Sequence, residues 1–194
     1  IKVDFAFYPV KALEDLSVSL SDDYNAGYKV LVDKDSLTEK MPQASLKAFR
    51  ESKPSEEEFH RVVNEFWFEA YHIAKYLKRD DLWSAKFRDW GQKDEFLLTM
   101  IRWNEMAKHS WDYSVHSQGK SMQKWVSSET WHDLHKCFSH FDAENSWKAL
   151  ENTLSLFRRI ALEAAELLGY SYPKEVDRNL SEYVSQLKNT TFTS

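Results

Sequence analysis

Cysteine is nearly absent from this 194-residue chain, where Cys137 stands alone. One thiol excludes an intramolecular disulfide framework and fits a reducing compartment, the cytoplasm. Glycine and proline are scarce as well, four of each, where average usage gives roughly 14 and 10. So few breakers leave little room for many short strands and tight turns, and favour long helices. No apolar run approaches the ~20 residues of a membrane span, and no signal peptide is visible. A basic excess is also lacking: 26 Lys and Arg face 31 Asp and Glu, a formal net charge of −5. That balance argues against a nucleic-acid binder and is compatible with a cationic small ligand. What the chain has in quantity is aromatic, with 8 Trp, 9 Tyr and 12 Phe, too many for a disordered polymer. Its length allows one domain with a sizeable core, or a domain plus a fragment of another. It opens without Met, directly in strand-like sequence, and reads as a piece of something longer.

Residues 1–10 alternate, with Ile1, Val3, Phe5 and Phe7 on one face. Period two with β-branched and aromatic residues predicts a half-buried strand ended by Pro9. A short helix is expected over 11–20 and a second strand over 28–32. From Thr38 to Pro54 the composition turns polar and reads as a linker. After Pro54 the period changes. Ser55 followed by Glu56, Glu57 and Glu58 is a helix start, with acids where the macrodipole favours them. Phe59, Val62, Phe66, Ala70, Ile73 and Leu77 form an apolar stripe down one helical face. Phe96, Met100, Trp103 and Ala107 mark a second helix, and Trp131, Leu134, Phe138 and Phe141 a third. The longest stripe runs from Trp147 to Leu168, with Gly169 as C-cap. A last helix carries Val176, Leu180, Tyr183 and Leu187 after Pro173. Helices with one apolar stripe each must bury it against one another, so the predicted fold is mainly α, a helical bundle preceded by a short α+β segment.

Several constellations invite a chemical reading. His132, His135, Cys137 and His140 crowd one segment, but on a straight helix His135 and Cys137 diverge by about 160° and cannot share one ion. Gly119-Lys120-Ser121 resembles the end of a phosphate-binding loop, yet Ser114 stands where the full pattern needs glycine. What survives is a helix N-terminus with Lys120 and Lys124 as a phosphate-friendly corner, against a plain pair of solvated lysines. Asp33 and Asp35 read either as a cation site or as a turn or cap. Asp4 sits on the polar face of the first predicted strand, where a carboxylate can be aimed into a cleft. On the helix after Pro54, Glu65 beside Trp67 could hold an organic cation by charge and cation–π attraction; the competing reading is bundle packing for Trp67 and a solvated Glu65.

Taken in order along the chain, these segments resemble the aminoglycoside 6-adenylyltransferase (streptomycin adenylyltransferase) family, within the polymerase β-like nucleotidyltransferases. Residues 1–10 are similar to the family strand bearing its third catalytic carboxylate, with Asp4 in that place. KVLVDKDSL (29–37) is similar to the close of the catalytic domain, NEFW (64–67) and LLTMIRW (97–103) to the helical domain, Gly119-Lys120 with Lys124 to its glycine-lysine motif, and Tyr172-Pro173, Asp177 and Asn179 to its ending. The resemblance implies a remnant of the nucleotidyltransferase domain over 1–37, a linker over 38–54 and a helical substrate-binding bundle over 55–194. It implies transfer of AMP from ATP to a drug hydroxyl with Mg²⁺, and hence antibiotic resistance. Asp4 would be the metal ligand and catalytic carboxylate, Lys120 and Lys124 the phosphate partners, and Glu65, Trp67, Trp103 and Glu69 the drug contacts. The partners implied are an aminoglycoside and ATP, with neither nucleic acid nor membrane. One departure matters: the family's Gly-Ser motif and Asp-x-Asp pair, which precede the strand of Asp4, do not occur in this sequence. A truncated, catalytically silent form is therefore expected, the alternative being a non-catalytic helical binding module or degenerate homologue.

Overall fold

The computed structural model describes residues 3–45, 52–113, 115 and 117–190. They fall into two units, Ile1–Glu51 and Ser52–Ser194.

In the first unit the expected helix is present as α1 (Val10–Val18), entered through Pro9, whose fixed φ and missing N–H suit a helix start. A single turn, α2 (Asp22–Asn25), follows. The two expected strands are not there among the described residues: 3–9 and 28–32 take part in no strand ladder, and Ile1 and Lys2 of the first lie outside the described residues. A strand is defined by ladder hydrogen bonds to a neighbour, and alternation supplies the side-chain pattern without the neighbour. Phe5 and Phe7 are accordingly 84% and 94% exposed. Beyond them Asp33 is a cap, accepting from the amides of Leu37 (3.0 Å) and Thr38 (2.8 Å) and from the Thr38 hydroxyl (2.5 Å). Those donors, Thr38 foremost, hold its carboxyl below the usual aspartate range.

The second unit is the bundle. Its first helix, α3 (Glu56–Lys78), begins in a reciprocal capping box: the Glu58 amide donates to Ser55 Oγ at 3.2 Å and the Ser55 amide to Glu58 Oε2 at 2.7 Å. This satisfies two of the amides a helix start leaves orphaned. The predicted stripe is buried, widened by Val63, Trp67 and Ala74. α4 (Leu82–Gly91), capped by Asp81, runs into a π-helical turn over Gln92–Leu97 and on into α5 (Leu98–Lys108). α6 (Ser128–Leu134) is shorter than the predicted third helix: the chain turns after Leu134 and leaves Phe138 and Phe141 exposed. α7 (Ala143–Leu168) ends at Gly169, whose φ of +74° is the left-handed conformation glycine adopts without a Cβ clash. α8 (Lys174–Asn189) follows Pro173 as expected.

α3 packs against α4, α7 and α8, and α5 against α7. At the centre the rings of Phe66 (α3) and Phe157 (α7) stack at 3.5 Å, 4° from parallel, and Ile73, Met100, Leu150 and Ile160 fill the space around them. The architecture is mainly α, as the sequence predicts.

Candidate functional site

A cavity of about 530 Å³ opens in the bundle where the π-helical turn faces the loop before α6. A π-turn holds more residues than an α-turn, and such bulges recur at functional sites. Here it sets Lys93, Asp94 and Leu97 on one wall. Leu98, Ile101 and Leu134 form the apolar lining, and the rings of Trp90, Trp131 and Phe138 stand around them. Lys93 is buried: its ammonium pairs with Asp89 one helical turn back and lies 5.3 Å from the centre of the Phe138 ring. Its charge is therefore spent within the fold. The side chains of Asp94 and Lys124, both exposed, make no hydrogen bond or ion pair with any described residue.

The facing wall is the glycine-lysine loop. Gln118, Gly119 and Ser121 all have positive φ, 55°, 67° and 54°. The positive φ of Gly119 favours glycine there, and a Cβ would lie 2.9 Å from the Met122 methyl, the mobile end of a flexible side chain that can move aside. From below, the buried Trp125 indole donates to the Lys120 carbonyl at 2.9 Å and ties the loop down. The expected helix N-terminus is not there. Only a three-residue 3₁₀ turn, Met122–Lys124, separates the loop from α6. Lys120 and Lys124 are thus exposed loop lysines, and of the two Lys124 lines the cavity.

The residues expected to hold a drug lie differently. Trp67 is completely buried. Its indole donates to the Tyr172 hydroxyl at 3.2 Å, which donates to Asp177 at 2.9 Å, and Asp177 takes two bonds from Arg158, at 2.7 and 2.5 Å. The guanidinium sits 5.0 Å from the indole centre. The cation on Trp67 is therefore Arg158, and the ring clamps α3, α7 and α8 together. This is bundle packing, the competing expectation for Trp67. Burial pushes the Tyr172 phenol well above the usual tyrosine range, while the Asp177 hydrogen bond and charge raise Arg158 further. Trp103 is nearly as buried and packs 6.5 Å from Phe59. Glu69 is ion-paired to Arg88 at 3.0 Å, and Glu65 is exposed.

Asp4 is exposed in the extended segment of the first unit. Among the described residues no three His, Cys, Asp or Glu side chains stand close enough to hold a metal ion. Cys137 is buried and donates to the Asp133 carbonyl at 3.3 Å; burial pushes its thiol up. No described helix is long and apolar enough to cross a membrane. Sequence reasoning missed Trp90 and Asp94. The spacing of Trp83, Phe87 and Trp90, one helical face outside any core stripe, is the signal that could have found the cavity rim.

The helical bundle thus carries a ligand-sized cavity beside a glycine-lysine loop. Comparison with known proteins makes this specific: the streptomycin adenylyltransferase family model matches residues 1–187. Aminoglycoside 6-adenylyltransferases from Bacillus subtilis (strain 168) and Campylobacter jejuni are each 27% identical, over 94% and 97% of this chain and 62% and 63% of their own lengths. One from Staphylococcus aureus is 25% identical over 95% of the chain and 64% of its own. The crystal structure of an aminoglycoside 6-adenyltransferase from Bacillus subtilis matches 72% of this chain and 52% of that one, with a TM-score of 0.63 and 25% identity. The chain belongs to the streptomycin adenylyltransferase family and spans somewhat less than two thirds of the length of these curated relatives.

Proposed function

We propose that the protein is an aminoglycoside O-adenylyltransferase, moving AMP from ATP to a hydroxyl of a streptomycin-type drug and so giving resistance to it, with this chain supplying its helical part. The observation that carries the reading is the family match across residues 1–187, within which the glycine-lysine loop walls a ligand-sized cavity. In the reaction a drug hydroxyl oxygen bonds to the α-phosphorus, the bond to the bridging oxygen breaks, pyrophosphate leaves, and the hydroxyl proton passes to a base. Lys120 and Lys124 are the cations that would balance charge on the departing phosphates. Asp4 would act as proton acceptor and as one magnesium ligand. Magnesium needs an octahedral oxygen shell, and one carboxylate does not make it, so the described residues do not fit a complete metal site and no step is assigned to the ion. Glu65 and Glu69 stay candidates for the drug's cationic groups, while Trp67 and Trp103 would act through packing. A reaction using ATP belongs to the cytoplasm, in keeping with a lone, buried cysteine.

The test is adenylyl transfer, measured as pyrophosphate release and mass gain of streptomycin, by residues 1–194 and by the open reading frame that encodes them. Activity of the open reading frame, lost in Asp4→Asn, supports the enzyme. No modification of any aminoglycoside by either would leave the non-catalytic binding module.

A further inference from the structure

The cavity offers three kinds of surface in one place, and few ligands use all three. Its walls carry the indoles of Trp90 and Trp131 beside an aliphatic lining, a setting for a flat ring. At its edge stand the amides of Gln118 and Gln123, which both donate and accept hydrogen bonds. Also at the wall are one anion and one cation, Asp94 and Lys124, whose side chains make no hydrogen bond or ion pair among the described residues. A polycation would be drawn by Asp94 and repelled by Lys124, with Lys93 already neutralised by Asp89. A polyanion would meet the reverse. A nucleotide satisfies each surface at once: an uncharged aromatic base, a sugar with hydroxyl donors, and phosphates at one end.

The geometry points to this cavity as the nucleoside-binding part of the nucleotide site, with a purine stacked on the indoles of Trp90 and Trp131, the sugar hydroxyls donating to Asp94, and the phosphates leading out past Lys124. The assignment rests on the adenylyltransferase reading and adds to it where the base and sugar go. A volume near 530 Å³ lies within the range of small-molecule sites.

Calorimetric titration of the 194-residue chain with ATP, adenosine and tripolyphosphate separates the three surfaces. Trp90→Ala, at a side chain 63% exposed and outside the core, is expected to weaken adenosine and ATP about tenfold, the scale of a lost base–aromatic stack, and to leave tripolyphosphate unchanged. Lys124→Ala is expected to do the opposite, weakening ATP and tripolyphosphate while sparing adenosine. Asp94→Asn should weaken adenosine but not 2′,3′-dideoxyadenosine. The assignment is overturned if adenosine does not bind, if Trp90→Ala leaves ATP affinity intact, or if streptomycin displaces adenosine and itself depends on Trp90. Adenylyl transfer with an unaltered KM for ATP in Trp90→Ala would sink the cavity assignment alone. Adenosine binding that depends on Trp90, without transfer to any aminoglycoside, would uphold the cavity and sink the enzyme.

Discussion

α3 and α4 are neighbours in sequence and in space, both rich in aromatic residues at helical spacing, and they spend them in opposite ways. Phe59, Phe66 and Trp67 on α3 are wholly buried, whereas Trp83, Phe87 and Trp90 on α4 are 77%, 74% and 63% exposed. Residue type and period are alike; what differs is what stands opposite. α3 has α4, α7 and α8 around it, and α4 turns its aromatic face away from them. An aromatic stripe therefore reports that a surface is to be covered and not by what: the α3 stripe is covered by helices of this chain, and the α4 stripe stays exposed.

Substitutions can break that division. The largest effect is expected at the stacked centre, where Phe66→Ala should cost about 3–5 kcal/mol, seen as a lower denaturation midpoint with unchanged slope. Asp177→Asn comes next: removing the charge that anchors Arg158 should cost about 3 kcal/mol, at the low end for a buried pair because Arg158 is partly exposed. An equally stable variant would show the clamp to be ornamental. Tyr172 supplies a pH test. Its phenol is held protonated in the fold, so above the ordinary tyrosine pKa of about 10 the unfolded chain alone releases that proton and stability falls as pH rises. Tyr172→Phe should shallow that alkaline loss, measured as melting temperature against pH. The smallest effect belongs to the exposed face: Trp83→Ala should move stability by about 0.5 kcal/mol or less, and a larger loss would mean that α4 is packed after all.

How much of this was legible varies by element. α3, α7 and α8 declare themselves through long stripes, a capping box and Gly169, because each buries one face against helices of the same chain. The strands expected near residues 1–10 and 28–32 do not form, since alternation is a property of one segment and pairing a property of two. α4 was invisible to a search for core stripes because its large side chains stay outside. At the site, Gly119-Lys120 drew attention to the loop that walls the cavity, but the helix expected to start there does not. Trp67 was ambiguous from spacing, because the guanidinium over its face comes from Arg158, 91 positions away, and no local pattern encodes that meeting. Asp94 became visible only through the π-turn, which sequence periodicity does not announce.

That wide turn bears on how insertions and deletions would be tolerated. It holds more residues than the regular spiral would need, and so sets the angular phase between α4 and everything downstream to Lys108. Gaining one codon within 92–97 would rotate Met100, Ile101 and Met106 by roughly a quarter turn relative to Trp90, swinging oily side chains toward water, whereas losing one removes the surplus and lets the turn close to the regular spiral with those side chains in phase. Insertions in these six positions should thus be far more harmful than single-residue deletions or most point substitutions in the same stretch.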